Sequence, residues 1–179
     1  MWPLSLRLMH WISAALVIGM LCLGTYIVQF EQNPANRFDL TQTHKSIGVA
    51  VFALTVVRLC LRILQSAPKP EPAAPLVLLA AKISYVSLYT MLLLMPLSGW
   101  LMTTTTLVRV PTSIFGLFEL PYPLAPDLLA YQIAHAVHVV SAISLATLIS
   151  LHVCAALVHA LLWRDRTLVR MCRKPCWVG

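Results

Sequence analysis

Four stretches of this chain, at about residues 8–30, 44–64, 82–103 and 129–163, run twenty or more residues with few or no charges. A helix needs about 20 apolar residues to cross a hydrocarbon core of roughly 30 Å. Inside lipid the backbone must satisfy its own hydrogen bonds, so stretches of this length read as spanning helices. Together they occupy most of the 179 residues. The chain is therefore expected to be all-α: an integral membrane four-helix bundle, a single transmembrane domain over residues 1–179. Only 11% of residues are charged and 59% are hydrophobic, against roughly 25% charged in a soluble domain.

Proline marks the connections. The segments QNPANRFDLTQ (32–42), QSAPKPEPAAP (65–75) and RVPTSIFGLFELPYPLAPD (109–127) hold nine of the twelve prolines, and proline removes a backbone donor and ends helices. Pro96 falls inside the third span, where a kink is expected. The first span carries one early cation and is too long for a signal peptide's apolar core, with no small-residue cleavage site after it, so it is read as a helix.

Orientation follows from the basic residues. Arg7, Arg58, Arg62, Lys69, Lys82, Arg164, Arg166, Arg170, Arg173 and Lys174 fall on one side, and only Arg37, Lys45 and Arg109 on the other. Both termini are expected in the cytoplasm. The acids agree, with Glu31, Asp39, Glu119 and Asp127 outside against Glu71 and Asp165 inside. The net charge of +7 is thus a topology signal and argues for no nucleic acid partner; the basic tail is suited to anionic lipid. Cys22, Cys60 and Cys154 read as small packing residues. Cys172 and Cys176 supply too few ligands for zinc, and the absence of C-x-x-C-H excludes a covalent c-type haem.

The chemistry falls to the histidines. All six, His10, His44, His135, His138, His152 and His159, lie in or at the ends of the spans, where an ionisable side chain is a functional hypothesis by default. His138 and His152 are fourteen residues apart, which on a helix brings them within roughly 40° of each other and about 21 Å apart along the axis. Such spacing suits two stacked cofactors between helices, each iron taking one imidazole from the fourth span and one from a facing span. A single metal ion would need converging ligands. His44 matches the depth of His138, and His10 that of either His152 or His159; depth alone leaves that inner pairing open.

Haem propionates call for cations. Arg58 lies fourteen residues past His44, on the same face, and Arg62 one turn later; a guanidinium fork suits carboxylates, although snorkelling at a helix end explains both residues equally well. Gly19, Gly24, Gly48, Ala50 and Gly99 allow close approach of helices or of a macrocycle. Trp2, Trp11, Trp163 and Tyr122 fit interfacial belts, and Trp100 is placed near the outer site.

The motifs RLMHW (7–11), HKSIG (44–48), VVRLCLR (56–62), PLSG (96–99), the H-x13-H-x6-H of the fourth span and WRDRTLVRM (163–171) occur in an order that resembles the bacterial cytochrome b561 family over essentially the whole chain. That resemblance implies two b-type haems, with His10 and His152 as iron ligands of the inner one and His44 and His138 of the outer one. It implies electron transfer from a small periplasmic donor to ubiquinone and the quinone pool, in the bacterial inner membrane, and one member is regarded as a superoxide oxidase. For such an anionic donor Arg37, seven residues ahead of His44, and Lys45 would raise the encounter rate; alternatively they are loop cations near head groups. His159, left without a haem, is a candidate to bind quinone or relay its proton, or to hydrogen-bond a neighbouring helix. His135 reads as a supporting or interfacial residue of the outer face. Lys82 and Tyr85 stand where a relative carries histidines.

Two other readings compete. A haem-b membrane anchor of a larger dehydrogenase or hydrogenase would require a protein redox partner. A histidine-based metal or proton transporter would bind no haem, and the shortage of membrane carboxylates speaks against it.

Overall fold

The computed structural model describes residues 1–65 and 74–172. Four helices account for most of them: α1 (Leu4–Gln29), α2 (Pro34–Leu64), α3 (Pro75–Thr105) and α4 (Leu128–Leu161). All four are long and apolar enough to cross a membrane. Their outward faces carry exposed apolar side chains such as Ile63, Leu76, Val140, Ile143, Leu151 and Leu161, a surface that suits lipid contact. Several serine and threonine hydroxyls inside the spans return their hydrogen to the preceding turn, as Ser13 does to Met9, Thr55 to Val51 and Thr105 to Leu101, which satisfies these groups within their own helix.

Helices α1, α2 and α3 are longer than hydropathy marks them. Segment 32–42, expected as a loop, is largely the first turns of α2, which carries Arg37 on a helix. Asn33 caps it by accepting from the backbone N–H groups of Ala35 and Asn36 at 3.0 and 3.4 Å, and Pro34 occupies the first helical position. Pro75 opens α3 in the same way, seven residues ahead of the expected start. Proline is tolerated at that position because its missing N–H would have had no partner there. The helix α4 ends at Leu161, so Trp163 lies just beyond it. Lys69, Glu71, Arg173, Lys174 and Cys176 lie outside the described residues.

The stretch 109–127 is more ordered than a plain loop. A hairpin of two two-residue strands, β1 (Ser113–Ile114) and β2 (Phe118–Glu119), pairs Ser113 with Glu119 and Ile114 with Phe118. Phe115 and Gly116 turn the chain with φ of 51° and 73°. The hairpin is fastened to α2. Ser46, buried, lies 3.2 Å from the Ser113 carbonyl and accepts from the Phe115 N–H, while Gln42 donates to the Pro111 carbonyl.

Backbones pack most closely between α3 and α4, α1 and α2, and α2 and α3, and α4 does not approach α1 or α2 in that way. Mid-bundle, Val17, Met20, Val51 and Leu145 form a buried apolar plug. Leu145 lies seven residues from both His138 and His152, so the plug separates the two levels at which the histidines face each other.

Candidate functional site

The bundle brings four of the six histidines together as two pairs. At the hairpin end the rings of His44 on α2 and His138 on α4 have centroids 6.5 Å apart, inclined at 72°. At the end bearing the termini, His10 on α1 and His152 on α4 are 6.2 Å apart, also at 72°. Sequence depth allowed either His152 or His159 opposite His10, and the fold places His152 there.

These separations fit an iron between each pair. A metal–imidazole bond is about 2 Å and the ring centre lies roughly 1 Å beyond the nitrogen, so two imidazoles on one metal sum to about 6 Å between centres. Among the described residues no three or more His, Cys, Asp or Glu side chains converge as a bare metal ion requires. The donor set is two neutral nitrogens per site, which is that of a bis-histidine b-type haem.

Two glycines hold space for the rings. A Cβ on Gly24 would stand 3.2 Å from Cε1 of His44, and one on Gly99 would stand 3.2 Å from Cε1 of His138. Gly48 has only an ordinary contact with Met20, and Gly19 faces open space. Of the small residues that sequence pointed to, the first two therefore have a specific task.

The hairpin-side pair opens into a cavity of about 490 Å³, lined by His44, Lys45, Gly99, Trp100 and His138 among others, with Thr112, Leu120 and Pro121 of the hairpin segment at its wall. His138 is held from behind: its Nδ1–H donates to the Met95 carbonyl at 2.9 Å and reaches the Ser98 hydroxyl at 3.2 Å. That bond fixes the tautomer and leaves the lone pair of Nε2 free to bind a metal. Nδ1 of His44 is buried without a hydrogen-bond partner. Lys45 extends its ammonium to the Thr112 hydroxyl at 3.2 Å, at the seam between α2 and the hairpin segment. Trp100 donates to the Pro121 carbonyl, so the ring expected near this site is also a tie to its cover.

The termini-side pair has different neighbours. Nη2 of Arg58 donates to Nδ1 of His10 at 3.0 Å, and its guanidinium lies over the Tyr89 ring. Arg62 stacks between Trp2 and Tyr85 at 5.1 and 4.8 Å. Only the first of the two arginines thus addresses a histidine, and Tyr85 instead makes a platform for Arg62. The ring of Trp11 borders His10, and its N–H donates to the Met171 carbonyl. Arg7 donates to the Cys172 carbonyl, and the Trp2 N–H to that of Arg170. Residues 170–172 form a strap across the start of α1.

His159 and His135 belong to neither pair. His159 donates from Nδ1 to Asp165 at 2.5 Å, with Thr167 closing the cluster by its N–H to the other carboxylate oxygen at 2.8 Å. Slight burial alone would push the Asp165 carboxyl up, but the hydrogen bonds from His159 and Thr167 outweigh it and hold it below the usual carboxylate range. The reversal that brings Asp165 back to His159 passes through Arg164 at φ 50°. His135, exposed, stacks on Tyr131 one turn earlier. Asp165 was counted in the sequence only as a topological charge; its nearness to WRDRT at a helix exit gave no period that would mark it as a partner of His159.

The profile of the prokaryotic cytochrome b561 family matches residues 1–174. Cytochrome b561 homolog 2 of Escherichia coli (strain K12) is 34% identical over 166 residues, covering 92% of this chain and 87% of its own.

Proposed function

We propose that this chain, which belongs to the prokaryotic cytochrome b561 family of membrane electron-transfer proteins, is a dihaem oxidoreductase carrying electrons from a small periplasmic donor to ubiquinone, with both termini in the cytoplasm. The family implies b-type haem. The observation that carries the finer reading is the pair of matching separations, 6.2 and 6.5 Å, at two levels of one bundle.

His10 and His152 would hold the inner haem, and His44 and His138 the outer one. When bound, haem supplies reversible one-electron chemistry at iron. The protein's own part is to orient and to shield. Met95 and Ser98 orient His138, Gly24 and Gly99 leave room for the two outer rings, and the hairpin segment walls the outer cavity. Arg58 stands ready for a propionate beside His10, whereas Arg62 is engaged with aromatic rings. Lys45 and Arg37, on the same helix face of the outer end, would draw an anionic donor such as superoxide toward the outer site. His159, with Asp165 fixing its Nδ1–H, presents Nε2 for a quinone oxygen or its proton.

A reduced-minus-oxidised spectrum of the purified, haem-supplied protein, with a pyridine haemochrome assay, tests this. Two b-type haems per chain are expected; none in a folded preparation would overturn it. Superoxide-dependent reduction of a quinone analogue then tests donor and acceptor.

A further inference from the structure

The two histidine pairs are nearly superimposable in spacing and tilt, yet their surroundings are opposite in kind. The ring of His138 gives its Nδ1 proton to a backbone carbonyl. The ring of His10 meets a guanidinium at the same nitrogen. Resting on the two-haem reading above, we infer that this contrast makes the His10–His152 site the stronger electron acceptor, with Arg58 as the positioning residue that sets the difference.

A carbonyl that accepts from an imidazole N–H makes that ligand more basic and favours the oxidised metal. A fixed cation acts in the other direction. The reduced iron carries one positive charge fewer, so a guanidinium a few ångströms away, in surroundings of low dielectric, favours reduction. Arg58 is fit for this because it contacts aromatic rings and makes no ion pair with a carboxylate of the described residues. Its partners are the His10 ring and the face of Tyr89. With an iron on Nε2 of His10, Nδ1 keeps the ring proton and no longer accepts from Arg58; the guanidinium then acts through its charge, which a propionate drawn to it from farther out offsets only in part.

The other cations do not cancel the contrast. Lys45 borders the hairpin-side cavity, but its ammonium is directed to the Thr112 hydroxyl at the hairpin seam and makes no hydrogen bond to either histidine. Arg62 lies with Arg58 on the termini side, over Trp2 and Tyr85, and adds to the same effect. An electron entering at the hairpin end would therefore find the lower level of its path at the opposite end, which gives the fold a preferred direction.

The test is a potentiometric titration of the haem-loaded protein and of two variants that each retain one site, His44→Ala and His10→Ala. These assign the midpoints. The termini-side site is expected to favour the reduced form at least tenfold more than the hairpin-side site, which is 59 mV for a one-electron couple. Arg58→Gln should bring the two together by a tenfold shift in the termini-side midpoint alone, and Arg58→Lys should keep most of the separation. Equal or reversed midpoints in the single-site variants overturn the inference, as does an Arg58→Gln protein with both haems and unchanged midpoints. If Arg58→Gln loses haem, the single-site comparison decides. Absence of haem from the unaltered protein would instead overturn the proposed function.

Discussion

Gly99 and His138 are fitted to each other: the ring passes so near the glycine that a Cβ would stand 3.2 Å from Cε1 and 3.3 Å from Nδ1. His138 cannot easily give way, because Met95 and Ser98 hold its imidazole by Nδ1. His44 faces Gly24 at the same 3.2 Å but has no hydrogen bond at Nδ1. Gly99→Ala should therefore cost the hairpin-side haem, lowering the yield from two haems toward one per chain, whereas Gly24→Ala should retain most of it. Haem per chain by pyridine haemochrome distinguishes the two.

Pairing predicts a pattern of non-additivity. His44→Ala and His138→Ala each remove one haem, and the double variant removes no more, because both serve one iron. His44→Ala combined with His152→Ala removes both haems. Equal haem loss in the two double variants would contradict the pairing.

The His159–Asp165 clamp has a definite acid limit. A carboxyl held below its ordinary value of about 3.9 stabilises the fold above that value and loses its contribution as pH falls through the lowered one. Thr167 and His159 hold Asp165 in that sense. At neutral pH Asp165→Asn should melt below the unaltered protein in detergent, and the two melting temperatures should converge as pH falls below the ordinary carboxylate range. A gap that persists at low pH would show that charge is not what the carboxyl contributes.

Ser46 joins α2 to the hairpin, and removing its hydroxyl leaves the Phe115 N–H without its acceptor. Ser46→Ala should cost about 1–2 kcal/mol and speed amide exchange at residues 113–119, with both haems retained. Unchanged exchange there would mean that the strand pairing of Ser113 with Glu119 suffices on its own.

How far the sequence alone reached depends on the kind of interaction. The fourteen-residue interval from His138 to His152 is rigid geometry along one helix, so it was readable, and depth then indicated His44. The choice between His152 and His159 was not, since both lie on one stripe; what separates them is Asp165, folded back through a left-handed residue that no periodicity announces. Pro34 and Pro75 were taken as ends of loops because proline both stops and starts helices, and only the cap at Asn33 tells which. The hairpin escaped notice because strands of two residues have no alternation to detect. Arg58 and Arg62 looked equivalent at one turn's separation, and only the third dimension sends one to His10 and the other to an aromatic stack.

The strap over α1 is gripped by its main chain: the carbonyl oxygens of Arg170, Met171 and Cys172 accept from Trp2, Trp11 and Arg7 respectively. These three bonds run to main-chain oxygens. What is constrained is spelling length, since one inserted or deleted residue between Leu161 and Arg170 would slide every oxygen past its donor and loosen the neighbourhood of His10.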